Sequence, residues 1–259
     1  MRKLSSNPHY LGIVVVSSLL SVFALPWQLS KMITGSTWQN PTDFSKSIQE
    51  GLRIDLLANF PHPGTGASAL ADETRFWFWF HLTKSLFSAV LFFGVLNCLR
   101  LLRNLKTIEF KKYLKFLFLS SQLVLSLVMV FSFVLVVSNI QGTFAPLSSA
   151  FSFLPANKSD QIFMKEIEYL RSSLGSNNPT ALASSIAHDF STYHAVIAVI
   201  FFMTCILLMR LVAMSALRRN YYLGLTYGTL LLGSVLLAIA NIGTAIQPLP
   251  ALIGFLDGF

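Results

Sequence analysis

Residues 76–85 read Phe-Trp-Phe-Trp-Phe-His-Leu-Thr-Lys-Ser, five aromatics followed by a histidine and a lysine at the entrance of an apolar run that lasts to Leu99. Aromatic rings with polar edges sit best where hydrocarbon meets headgroups. The cluster directly follows Asp72, Glu73 and Arg75, so it reads as the interface crossing of a membrane-spanning helix at about 80–99. The segment after that span decides the topology: Arg100, Arg103, Lys106, Lys111, Lys112 and Lys115 come within sixteen residues, interrupted by one acid, Glu109. A short loop so rich in cations belongs on the cytoplasmic side, which puts the aromatic entrance outside.

Composition agrees with this reading. The 259 residues are 54% apolar and 12% charged, outside the range of an ordinary soluble domain and typical of membrane chains. A net charge of +8 would suit a polyanion, but the cations sit in short patches between apolar runs and not on one soluble face, so nucleic acid is not expected as a partner. Cys98 and Cys205 carry neither a CxxC nor a metal-ligand spacing.

Working outward, four more spans are expected. The first, about 10–27, follows Met1-Arg2-Lys3 and resembles a signal sequence with Val22-Phe23-Ala24 as a cleavage pattern. Its length and its Pro26-Trp27 end instead favour a retained span. The third, about 116–138, is continuous Leu, Val, Phe and Ser around Gln122. The fourth covers about 193–211 and the fifth 221–246, separated by the inner basic loop 212–220 with Arg218 and Arg219. The other inner loop is 100–115. Counting sides, the inner segments hold eleven basic residues against one acid, and the outer segments hold eight against ten. This asymmetry predicts a single multi-pass domain, 1–259, in the cell (inner) membrane, N-terminus cytoplasmic and C-terminus outside.

The two outer regions, 28–75 and 139–191, each predict an amphipathic helix. Phe44, Ile48, Leu52 and Leu56 recur at helical spacing from Asp43 to Asn59 behind the Asn40-Pro41 start, and Ile162, Phe163, Ile167 and Leu170 do so from Asp160 to Leu174. Residues from Asn178-Pro179-Thr180 onward continue their apolar spacing into the fourth span, which predicts one long helix projecting from the membrane. Asn-Pro-Thr-x-[Phe/Leu]-x-x-Ser-Ile occurs at Asn40 and again at Asn178, and helix-start chemistry explains it as well as duplication does.

Four sets of residues are candidates for function. His81, Lys84, Ser85 and Ser88 form a polar stripe, and an ionisable group inside a span is a site by default unless it snorkels to the headgroups. His81 and His194 stand at comparable depth on two spans, the requirement for paired ligands to haem b or for a quinone pocket. Gly224 and Gly228 place small residues where a neighbouring helix can approach. Arg100, Arg103, Lys106, Lys111, Lys112 and Lys115 would touch lipid headgroups. Asn157-Lys158-Ser159 matches the glycosylation pattern. His188 and Asp189 lie near serines without any nucleophile elbow, HExxH or phosphate loop, so no catalytic residue and no metal ligand is assigned. The expectation is an all-α polytopic membrane protein with five spans and an outer helical cap. It would act as a non-enzymatic subunit or accessory factor meeting other membrane subunits and the lipid bilayer, without a cofactor. The rivals are a transporter or channel component and a haem or quinone electron-transfer subunit.

Overall fold

The computed structural model describes residues 8–58, 69–105, 112–151, 154, 161–217, 219 and 221–258. Among them every regular element is a helix: α1 (Pro8–Thr34), α2 (Pro41–Ala58), α3 (Ala71–Leu105), α4 (Lys112–Phe144), α5 (Pro146–Ala150), α6 (Gln161–Leu174), α7 (Ala181–Leu217), α8 (Tyr221–Ile246) and α9 (Pro248–Leu256). Five of these, α1, α3, α4, α7 and α8, are long and apolar enough to cross a membrane. Phe116, Leu127, Leu225 and Ile239 are among the large apolar side chains left facing outward, compatible with lipid contact.

The helices outrun the apolar windows that announced them. α1 continues past Pro26 and Trp27 to Thr34 instead of stopping at 27; Ser30 donates its hydroxyl to the Pro26 carbonyl, and Gly35 at φ 72° closes the helix. α3 begins at Ala71, nine residues before the expected 80, because Asp72 and Glu73 favour its first turn and no Pro or Gly lies between 71 and 80. α4 runs past 138 until Pro146 forces Ala145 out of the helical region, φ −133° and ψ 67°. α7 starts at Ala181, just after Asn178-Pro179-Thr180 as the spacing predicted, carries through the span expected from 193, and runs unbroken for 37 residues to Leu217, past the expected 211. The expected inner loops shrink accordingly, since α3 reaches Leu105, α4 starts at Lys112 and α7 reaches Leu217.

The chain divides into two compact units. The first comprises residues 1–36 and 79–143, so α1, most of α3 and nearly all of α4. Its core is Val22, Leu91 and Val95, packed by Val15, Leu19, Phe87, Leu125, Val128, Met129 and Leu135.

The second unit comprises residues 37–78 and 144–259. Here α2 starts with Pro41 and is capped by Asn40, whose Oδ1 accepts from the amides of Thr42 and Asp43 at 2.9 and 3.0 Å. It buries Phe44, Ile48 and Leu52. Gly51 lets it approach the start of α3, where a Cβ would lie 2.8 Å from Leu70. Phe44 stacks on Trp77 (centroids 4.9 Å), while Phe76 meets Phe44 and Trp38. Phe76 and Trp77, read from sequence as interfacial, are therefore core residues beneath α2, 0% and 3% exposed. α6 buries Phe163, Ile167, Leu170 and Leu174 in the same unit.

Candidate functional site

Each unit contains a helical hairpin with the same polar clasp. In the first, His81 on α3 and Asn139 on α4 meet at 2.9 Å through Nδ1 and Oδ1. In the second, His194 on α7 and Asn241 on α8 meet at 2.7 Å through the same atoms. Both asparagines donate their Nδ2 to the carbonyl one turn earlier, Leu135 and Leu237. With Nδ2 so engaged, Oδ1 must face the histidine, so Nδ1 is the donor and carries the proton in both rings.

The likeness extends along the chain. Trp77-Phe78-Trp79-Phe80-His81 and Phe190-Ser191-Thr192-Tyr193-His194 share the pattern aromatic, two residues, aromatic, histidine. The preceding ring meets the imidazole edge-on in both, Phe80 at 5.5 Å and Tyr193 at 5.4 Å, each at 77°. Leu135-x3-Asn139-Ile140-x5-Pro146-Leu147 has the same spacing as Leu237-x3-Asn241-Ile242-x5-Pro248-Leu249. In both, the residue before the proline leaves the helix with similar dihedrals, and a short helix comes next. Asn-Pro-Thr does not belong to this correspondence, since at Asn40 it starts α2 and at Asn178 it precedes α7. The true signal joins a histidine and an asparagine 58 residues apart in one copy and 47 in the other, too far for a local motif reading.

The two clasps differ in their surroundings. His81 is 9% exposed and its ring lies against Gly142, where a Cβ would come within 2.5–2.6 Å of Cδ2, Nε2 and Cε1. His194 is half-buried, and the nearby Gly243 has open space around it. His81, Lys84 and Ser88 share one face of α3 with the buried Leu91 and Val95. Ser88 is fully buried and spends its hydroxyl on the Lys84 carbonyl. The Lys84 ammonium lies 5.2 Å over the Phe80 ring and makes no ion pair among the described residues.

In the second unit three acids each hold a neighbouring donor, while the second oxygen of Glu73, Oε2, is buried with no hydrogen-bond partner among the described residues. Asp55 accepts from the Ala69 amide at 2.6 Å, Glu73 from the Ser47 hydroxyl, and Asp189 from the Ser148 amide at 2.6 Å. Trp77 Nε1 donates to Ser149 at 3.1 Å, and Arg171 pairs with Asp257 at 3.0 Å. His188 takes no part in these contacts. Between α2 and α6 lies a groove lined by Lys46, Gln49, Glu50, Arg53, Ile162, Phe163 and Glu166.

Of the glycines proposed for helix approach, a Cβ added at Gly224 would lie 3.7 Å from Ser215 of α7, an ordinary contact, and one at Gly228 would meet open space. Arg100 is exposed at the far end of α3, whereas the side chains of Arg103, Lys106, Lys111, Lys112 and Lys115, with His62 and Asn157, lie outside the described residues. Among the described residues no three His, Cys, Asp or Glu side chains gather as metal ligands. Comparison of the chain with family models, with curated proteins and with solved structures finds no match.

Proposed function

We propose that the chain is a non-enzymatic integral membrane subunit, an accessory factor that crosses the cell membrane five times and meets its partners through an outer cap built from α2, α5, α6 and α9. The observation that carries this reading is the use made of three acids of the second unit, one on the cap helix α2 and two on α3 and α7. Asp55, Glu73 and Asp189 each hold a neighbouring amide or hydroxyl of their own unit in place, so the acids serve to fix helices. What the cap offers outward is the α2–α6 groove, with both charges and two apolar residues on its walls. That composition suits a polar, desolvatable protein contact.

Photo-crosslinking from Glu50, Arg53 and Glu166 in native membranes tests this reading. One discrete cross-linked partner from all three positions, and none from Leu127 on α4, is expected; no adduct at the groove, together with a clean monomer on native purification, overturns it. Orientation is tested separately. Ser176→Cys should react with reagents from outside and Thr107→Cys from inside, and the reverse pattern inverts the topology.

A second reading has one observation in its favour. Nδ1–H held by a carbonyl-type oxygen is the arrangement by which ligating histidines are oriented, and both His81 and His194 have it. A haem-binding electron-transfer subunit therefore predicts a Soret band in purified protein that is lost in His81→Ala or His194→Ala. A colourless protein removes that reading.

A further inference from the structure

We propose that the end of the first unit carrying His81 binds a phosphate-bearing anion, with Lys84 as its cation. The argument begins with charge. Residues 1–36 and 79–143 contain one acid, Glu109, twenty-five residues after Lys84 in the chain, and the acids on α3 itself, Asp72 and Glu73, stand twelve and eleven residues before it. Lys84 nonetheless sits on the face of α3 that also carries buried His81, Ser88, Leu91 and Val95, where an ammonium is costly to desolvate. A second donor stands at the same end. Gln141, between Asn139 and Gly142 on α4, is 4% exposed and its Nε2 has no hydrogen-bond partner among the described residues.

The second hairpin is an internal control. Three residues after its histidine stands Ile197, where the first has Lys84; two residues after its asparagine stands Gly243, where the first has Gln141. A hairpin with the same clasp forms without either donor, so the clasp requires neither. Lys84, which makes no ion pair among the described residues, and Gln141, whose Nε2 has no hydrogen-bond partner there, are both donors at one end of the hairpin, and a cationic donor such as Lys84 suits an acceptor that carries negative charge.

Depth names the chemistry. Lys84 precedes Arg100 by sixteen residues, about 24 Å along the helix. Across a hydrocarbon core of about 30 Å, that leaves Lys84 about 6 Å inside the opposite boundary, within reach of its own side chain. The abundant anion at that level is the phosphodiester of a phospholipid headgroup. A soluble phosphate would present the same oxygens.

The test uses the full chain in detergent, with thermal melting and native mass spectrometry, against phosphatidylglycerol, phosphate-free diacylglycerol and inorganic phosphate. Lys84→Ile installs the residue that the second hairpin already carries. The expected result is retention of phosphatidylglycerol but not diacylglycerol, and about fivefold weaker binding in Lys84→Ile. A matching response to inorganic phosphate alone identifies the soluble source, and none identifies the headgroup. Equal lipid and phosphate binding by wild type and Lys84→Ile overturns the proposal, as does loss of a co-purifying chain in that variant with phosphate binding unchanged, which assigns Lys84 to a partner's carboxylate. Should Lys84→Ile fold poorly, Lys84→Arg must keep binding and Lys84→Gln must lose it; identical binding by these two also overturns the proposal.

Discussion

The α3–α4 and α7–α8 hairpins solve one problem with one device and then diverge. In each, a histidine behind an aromatic meets an asparagine whose own amide is satisfied one turn back. The first hairpin seals the clasp with Gly142 and adds Lys84 and Gln141, while the second leaves its histidine half-buried and puts Ile197 and Gly243 at those positions. The shared part is what joins two long apolar helices in register. The unshared part is what the first hairpin has been fitted to do besides.

Four sets of substitutions can break or sharpen this comparison. Gly142→Ala is expected to have the largest effect, about 1–3 kcal/mol of destabilisation, because the new Cβ must evict an imidazole that Asn139 holds in place. In the second hairpin Thr244 already stands at the position of Gly142, and Gly243→Ala beside it meets open space and should stay within about 0.5 kcal/mol; a Gly142→Ala shift no larger than that would abolish the asymmetry. Next, Asn139→Leu should cost about 1–2 kcal/mol and Asn241→Leu about 0.5, since the first clasp is buried and the second half-exposed. Double-mutant cycles with His81 and His194 separate the pairwise part. Smaller still, Lys84→Ile without lipid should leave the melting temperature unchanged or slightly raised, as removal of a desolvated charge implies. Smallest is Gly228→Ala, which meets open space and should be neutral in the isolated chain; a loss of assembly in membranes would assign that face to another helix.

The sequence carried the five apolar helices, and it carried both amphipathic ones almost to the residue, α2 expected over 43–59 and found at Pro41–Ala58, α6 expected over 160–174 and found at Gln161–Leu174. Each rests on periodicity within one element, which a single pass along the chain reads directly. The ends of α1, α3, α4 and α7 escaped because hydropathy reports where a helix is apolar, whereas caps, first-turn acids and prolines decide where it stops. His81 and His194 were visible as residues, but Asn139 and Asn241 were not singled out. An asparagine late in a long apolar helix announces nothing until its partner 58 or 47 positions away is known. Phe76 and Trp77 misled for a related reason. Their surface suits a headgroup layer and an aromatic core equally, and the choice depended on α2 bringing Phe44 and Trp38 to them.

The turn between α7 and α8 holds Arg219 at φ 52°, a left-handed conformation in which glycine would be at ease. An arginine there gives up about 1–2 kcal/mol of backbone comfort. What the position retains is a permanent charge at the apex of a turn only three residues long. A cation at such an apex is costly to draw through a lipid layer, which favours insertion of two apolar helices as one looped pair. Arg219→Gly would relieve the backbone and give up the charge, so the two properties of this one position pull against each other.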